Sequence, residues 1–162
     1  HKKFLNDFFT GKHPGSDSRG ELYNDDPVTQ DARFCGTTAS MCGVEKAGFE
    51  QDADQMNSAI KRDLMLHAFM FMQSGIPVLY SGDEIGQVND YSYKDDPEKA
   101  ADSRYIHRGK FRWDLEENIH KKGTVEERIF DGLKKLEGFP HHCRLPHAGN
   151  LRAGSDLHRE RV

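Results

Sequence analysis

The chain has 162 residues and a formal net charge of -4, from 23 basic and 27 acidic side chains. This length allows one ordinary domain with a core of its own, and the near-balance of charge excludes a strongly basic nucleic-acid-binding surface. Mean hydropathy is -0.83, and no apolar run approaches the ~20 residues of a membrane span.

In chain order, Phe4, Phe8 and Phe9 recur at helical spacing and predict a short amphipathic helix over residues 2–10. Residues 11–27 are rich in Gly, Ser, Asp, Asn and Pro and read as irregular loop. The small-residue stretch 32–48 reads as a short helix. Asp52 or Asp54 can cap the helix that follows, because an Asp side chain accepts from free first-turn N–H groups. That helix is expected over 55–73, with Met56, Ile60, Leu64, His67 and Phe71 on one stripe and Lys61, Arg62 and Asp63 on the other side. Its second half, apolar nearly all round, is expected to be buried on most sides, and Gly75 fits a C′ position.

Residues 74–87 read SGIPVLYSGDEIGQ. The apolar run 76–80 breaks into Ser81-Gly82 and then two carboxylates, Asp83 and Glu84. This pattern predicts a buried parallel strand ending at a functional rim, since α/β barrels place polar chemistry at the C-terminal ends of their strands. Pro77 is tolerable only near the start of such a strand. The polar segment 87–124, with the single Trp113, is long for a structureless loop, and loops of that length are usually functional. Val125, Ile129, Phe130, Leu133 and Leu136 predict a closing amphipathic helix over 125–136. The tail, 141–162, shows neither strand alternation nor a helical stripe and is expected to be irregular.

Five stretches in fixed order carry a resemblance: FLNDFFTGK, PGS with SRG, YNDDPVTQDARFCGTTASMCG, SGIPVLYSGDEIGQ and DSRYIHRGKFRW. Together they cover about residues 1–137 and resemble the α-amylase clan, glycoside hydrolase family 13, and within it the amylosucrase-like enzymes. The resemblance implies an α/β fold, a partial (β/α)8 TIM barrel that is mainly helical with long loops. Residues 1–50 would be the lid subdomain after barrel strand seven. Residues 51–137 would be the C-terminal part of the barrel, with 76–80 as its last strand. Residues 138–162 depart from the family, which continues into an all-β domain. The chain is shorter than the ~250 residues of a whole barrel.

The resemblance also implies retaining chemistry by an Asp nucleophile, a Glu acid/base and a second Asp, a mechanism that needs two suitably spaced carboxyl groups. The stretches that would carry these residues precede residue 1, so no catalytic residue is expected in this chain. The chain begins with His1 rather than Met, which also suggests that an upstream part exists. Arg33 and Arg108 match pocket arginines of the family and are the candidate substrate-binding residues. Arginine suits that role because its planar fork binds carboxylates and hydroxyls bidentately.

Other residues invite a functional reading and carry a plainer one beside it. Asp83 and Glu84 could form an acid/base pair, but neighbours on a strand face opposite ways, so they are expected to anchor the pocket rim. His67 is expected to be a hydrogen-bonded core residue. His141, His142, Cys143 and His147 have ligand chemistry but match no standard metal spacing, and Asp95, Asp96 and Glu98 lack EF-hand spacing, so no metal or cofactor is expected. Trp113, Tyr91, Tyr93 and Tyr105 could stack on sugars or simply pin the long loop. The three cysteines, Cys35, Cys42 and Cys143, form no disulfide framework.

The expected partners are sucrose or α-glucan oligosaccharides, not nucleic acid or membrane, with self-association through an exposed barrel edge. The compartment stays open, with the cytoplasm favoured and a bacterial-type enzyme implied. Two other readings stand beside that of an enzyme: a non-catalytic α-glucan-binding fragment, and an inactive truncation product.

Overall fold

Side-chain caps fix where the principal helices begin. A computed structural model describes residues 1–138. It is mainly helical, with one antiparallel pair of short strands among the described residues. Helix α1 (Lys2–Phe9) is followed by β1 (Glu21–Tyr23) and β2 (Arg33–Cys35), then by α2 (Thr38–Cys42), α3 (Val44–Glu50) and α4 (Ala53–Met72). A four-residue helix, α5 (Trp113–Glu116), and the closing helix α6 (Val125–Glu137) complete the order. Thr37 caps α2 by accepting from Ser40 N. Asp52 caps α4 by accepting from Asp54 N at 3.0 Å and Gln55 N at 2.9 Å. Thr124 caps α6 by accepting from Glu127 N. Each cap satisfies N–H groups that the first turn leaves without partners.

The core lies where α4 meets α6. Ile60, Ile129 and Leu133 are buried there, and Leu64, Phe71, Leu79 and Leu136 pack against them. Ala39, Val44 and Ala59 extend this core toward α2 and α3. A separate cluster of Cys35, Tyr93 and Ile106 seats the hairpin on the long segment 87–124. That segment is more ordered than its polarity suggests, with one-turn 3-10 helices at Tyr91–Asp95, Ser103–His107 and Glu117–His120. Its hydrogen bonds explain why. Thr37 N donates to Asn89 Oδ1 at 2.9 Å, Asn89 N donates to Ser40 Oγ at 2.9 Å, and Asn89 Nδ2 donates to Arg19 O at 2.5 Å.

Asn89 therefore ties three distant segments together at a buried point. Asn89→Ala is expected to cost about 2–4 kcal/mol, since it removes the side-chain bonds to Thr37, Arg19 and, at 3.4 Å, Tyr91 and strands the buried Thr37 N–H. Asn89→Asp restores an acceptor for Thr37 N but no donor for Arg19 O, and should recover part of that loss. Urea unfolding of the two variants beside the parent chain checks the order.

Several expectations need correction. Residues 76–80 form no strand and pair with none among the described residues, and they are not buried but alternate between exposed and half-buried. Ile76 is 90% exposed and Val78 73%, whereas Leu79 packs on the core. The segment thus keeps the period-two alternation of a strand without the neighbour a ladder requires. The second half of α4 is likewise not buried all round: Met65, Leu66, Phe69 and Met72 are exposed, because no described element covers that side. Asp63, placed with the polar face, is 1% exposed. It stands one turn before His67, so the same face buries both. Gly75 has a positive φ of 126° but lies one residue past C′, because Gln73 is the cap.

The loop expected at 11–27 contains β1, and the single helix expected at 32–48 divides into β2, α2 and α3 around Gly43, whose φ is 98°. The tail residues His141, His142, Cys143 and His147, and the strands looked for there, lie outside the described residues. Among the described residues, no helix is long and apolar enough to cross a membrane.

Candidate functional site

The turn after segment 76–80 organises the neighbourhood of Asp83 and Glu84. Gly82 (φ 104°) and Gly86 (φ 61°) flank the one-turn helix Asp83–Ile85, in backbone that other residues seldom adopt. A Cβ on Gly86 would stand 2.4 Å from Ile129 Cδ1, so the turn rests directly on α6. Asp83 Oδ2 accepts from Tyr80 N at 3.2 Å, and Glu84 Oε2 accepts from Gly82 N at 2.8 Å. The two side chains then diverge. Asp83 turns inward to α4, while Glu84 lines an open cleft. They do not converge on one reacting bond.

Inward lies a buried charge cluster. The imidazole of His67, 4% exposed, sits between two carboxylates. Its Nδ1 is 3.0 Å from the Asp63 carbonyl oxygen and 3.2 Å from Asp63 Oδ2. Its Nε2 is 3.5 Å from Asp83 Oδ2. Burial alone would lower the pKa of His67, but the Asp63 and Asp83 carboxylates prevail and raise it to about 10. Burial pushes the Asp63 carboxyl up, and His67 only partly offsets that. An imidazolium that keeps its proton at neutral pH is a poor general base. Its chemistry here is that of a clamp joining α4 to the 81–85 turn. Beside it, burial pushes the Cys42 thiol up to about 12, which leaves it inert as a nucleophile near neutrality.

Outward lies a cleft of about 350 Å³, between the turn and the start of α5. Gln87, itself buried, braces the chain that carries Phe111 into the lining. Its Nε2 donates to Lys110 O at 3.2 Å, and its Oε1 accepts from Arg112 N at 3.1 Å. This pair of bonds grips the chain on both sides of Phe111. Phe111 and Trp113 then pack ring to ring with centroids 4.6 Å apart, tilted by 57°. Arg112 and Asp114 point elsewhere and close a two-pronged ion pair with each other. Glu84 and Glu116 share the lining with Ile85, Ile119 and Phe130.

The two candidate arginines are not brought into this cleft. Arg33 is exposed in β2, where it pairs with Tyr23. Arg108 is exposed, and its guanidinium carbon lies 5.5 Å from the centre of the Tyr105 ring. Neither makes an ion pair among the described residues. Of the other aromatics, Tyr93 bonds Glu21 and is buried, so it pins the loop. Tyr91 donates to Glu45 at 2.7 Å, and burial pushes its phenol up to about 12. Sequence reasoning missed Asp63, Gln87, Phe111 and Glu116. The spacing of Asp63 and His67 inside an apolar stretch was the available signal for the first. No protein-family model matches the chain.

Proposed function

We propose that the chain is part of the (β/α)8 barrel of an amylosucrase-like enzyme of glycoside hydrolase family 13. The whole enzyme would transfer or hydrolyse α-glucosyl groups with retention through a covalent intermediate. The observation that carries this reading is the unit α4, apolar segment 76–80, polar turn and α6. An apolar segment of alternating exposure, with Leu79 packed on the α4–α6 core, ends in a turn bearing Asp83 and Glu84, as strands do at the chemical end of such barrels. The five ordered stretches add to it.

On this reading 76–80 is the last barrel strand, residues 1–50 are the lid, and Arg33 and Arg108 are pocket arginines. Arg108 would then pair with a carboxylate from an earlier part of the barrel, which agrees with its exposed guanidinium. The catalytic Asp, Glu and Asp would come from the earlier strands, so the isolated chain is expected to bind α-glucans without turning them over. Saturation-transfer NMR with maltoheptaose, sucrose and cellobiose tests this. Contacts to maltoheptaose or sucrose stronger than to cellobiose support the reading, and no transfer from any of them at millimolar sugar counts against it. Incubation with sucrose and starch separates the readings of enzyme and of binding fragment. The binding fragment is favoured by the divergence of Asp83 and Glu84.

A further inference from the structure

We propose that the cleft between the 81–85 turn and α5 is a saccharide subsite, with Trp113 as its stacking platform. The assignment rests on the α-glucan reading above and adds a place and a set of contacts to it. Trp113 is 74% exposed. An indole that served only to pin the loop would be covered, because a large aromatic side chain stabilises a fold by burial. The indole instead leans on Phe111 and leaves much of its surface to solvent.

The rest of the lining suits a sugar. A pyranose presents an apolar C–H face to an aromatic ring and a rim of hydroxyls to polar groups. Glu84 uses Oε2 on Gly82 N and keeps Oε1 as an acceptor. The Glu116 side chain makes no hydrogen bond or ion pair among the described residues, and Ser81 is exposed with a hydroxyl able to donate and accept. Ile85, Ile119 and Phe130 supply apolar lining. The volume, about 350 Å³, falls at the small end of the ~300–1,000 Å³ range of ligand sites. The wall is also firm: Gln87 holds the backbone on either side of Phe111, so the platform stands in place before the ligand arrives.

Trp113 is the only tryptophan of the chain, so its emission reports this cleft directly. The test titrates the whole chain with maltoheptaose and, separately, with tetramethylammonium chloride. Binding is read by tryptophan fluorescence and by calorimetry. Expected is a saturable emission change with maltoheptaose. Affinity by calorimetry should fall about tenfold or more in Trp113→Ala and Glu116→Gln, a loss of ~1.4 kcal/mol per tenfold. Both variants should unfold at nearly the same denaturant concentration as the parent chain, because Trp113 is exposed and the half-buried Glu116 side chain has no hydrogen-bond or ion-pair partner among the described residues.

Maltoheptaose binding by calorimetry with unmoved emission and full affinity in Trp113→Ala overturns the cleft and leaves the α-glucan reading standing. Absence of heat with any α-glucan overturns both. A response to tetramethylammonium alone overturns the saccharide assignment, since aromatic rings beside carboxylates can also hold a cation.

Discussion

His67→Ala is expected to destabilise the chain by about 3–5 kcal/mol, the range for removing one partner of a buried charge pair. The side chain packs at 4% exposure, and its loss leaves Asp63 a buried carboxylate with no cation beside it. The effect also has a pH signature. Because the pKa of His67 rises from its ordinary 6.5 to about 10 on folding, its stabilisation is fully present below 6.5 and is lost as pH climbs through about 10. Asp63 works in the same direction. Its carboxyl is raised by burial, so the folded chain holds that proton more tightly than the unfolded chain does. Asp83 from the turn, Cys42 from α2 and Arg62, which donates to Cys42 O, are the other titratable and charged groups at this point.

Urea unfolding from pH 6 to pH 10 should show stability falling with pH in the parent chain and falling less in His67→Gln. Parallel curves for the two proteins would sink the clamp. The double variant Asp63→Asn with His67→Gln should be less damaging than the two single losses summed, because the carboxylate that suffers from the missing cation is gone.

How much of this was legible in the sequence depends on the range of the signal. Local signals were read closely. Asp52 caps α4, the stripe Met56, Ile60, Leu64, His67 and Phe71 faces the core, and α6 buries Ile129 and Leu133 from the expected set. These follow from 3.6-residue periodicity and from the chemistry of a first helical turn. What depends on distant partners was not legible. Nothing within a few residues of Asn89 says that it will accept from Thr37 and donate to Arg19. The pairing of Glu21 with Cys35 spans a long loop of polar residues, and three-residue strands are too short to show a period. Asp63 was misplaced because a carboxylate is normally a mark of the solvated face, and only a cation one turn on makes its burial tolerable. The cleft was seen in part: Trp113 stood out, but Gln87, which orients that wall, carried no signal of its own.

The face along α4 and segment 76–80 leads to the other large effect. Phe69 is 66% exposed, Met72 75%, Ile76 90% and Val78 73%. Isolated apolar residues at a surface are ordinary, but these follow one another along a helix and the segment leaving it. The backbone of residues 74–79 makes no hydrogen bond among the described residues. An apolar segment whose backbone C=O and N–H groups (Pro77 apart) have no partner can pair with another strand. The isolated chain is therefore expected to bind the dye ANS and to sediment with a concentration-dependent mass.

A charge placed on the outward face should oppose pairing without touching the core, because Leu79, not Val78, packs inward. Val78→Lys, and more so Ile76→Lys with Val78→Lys, should weaken association about tenfold or more and leave the unfolding midpoint nearly unchanged. A chain that sediments as a monomer at all concentrations and leaves ANS dark would contradict this. On the barrel reading, neighbouring strands would cover the same edge. A co-expressed N-terminal barrel portion of an amylosucrase-like enzyme should then suppress both dye binding and self-association, and Val78→Lys should weaken that capture as well. Loss of self-association in Val78→Lys with capture unchanged would place the complementary partner elsewhere on the surface.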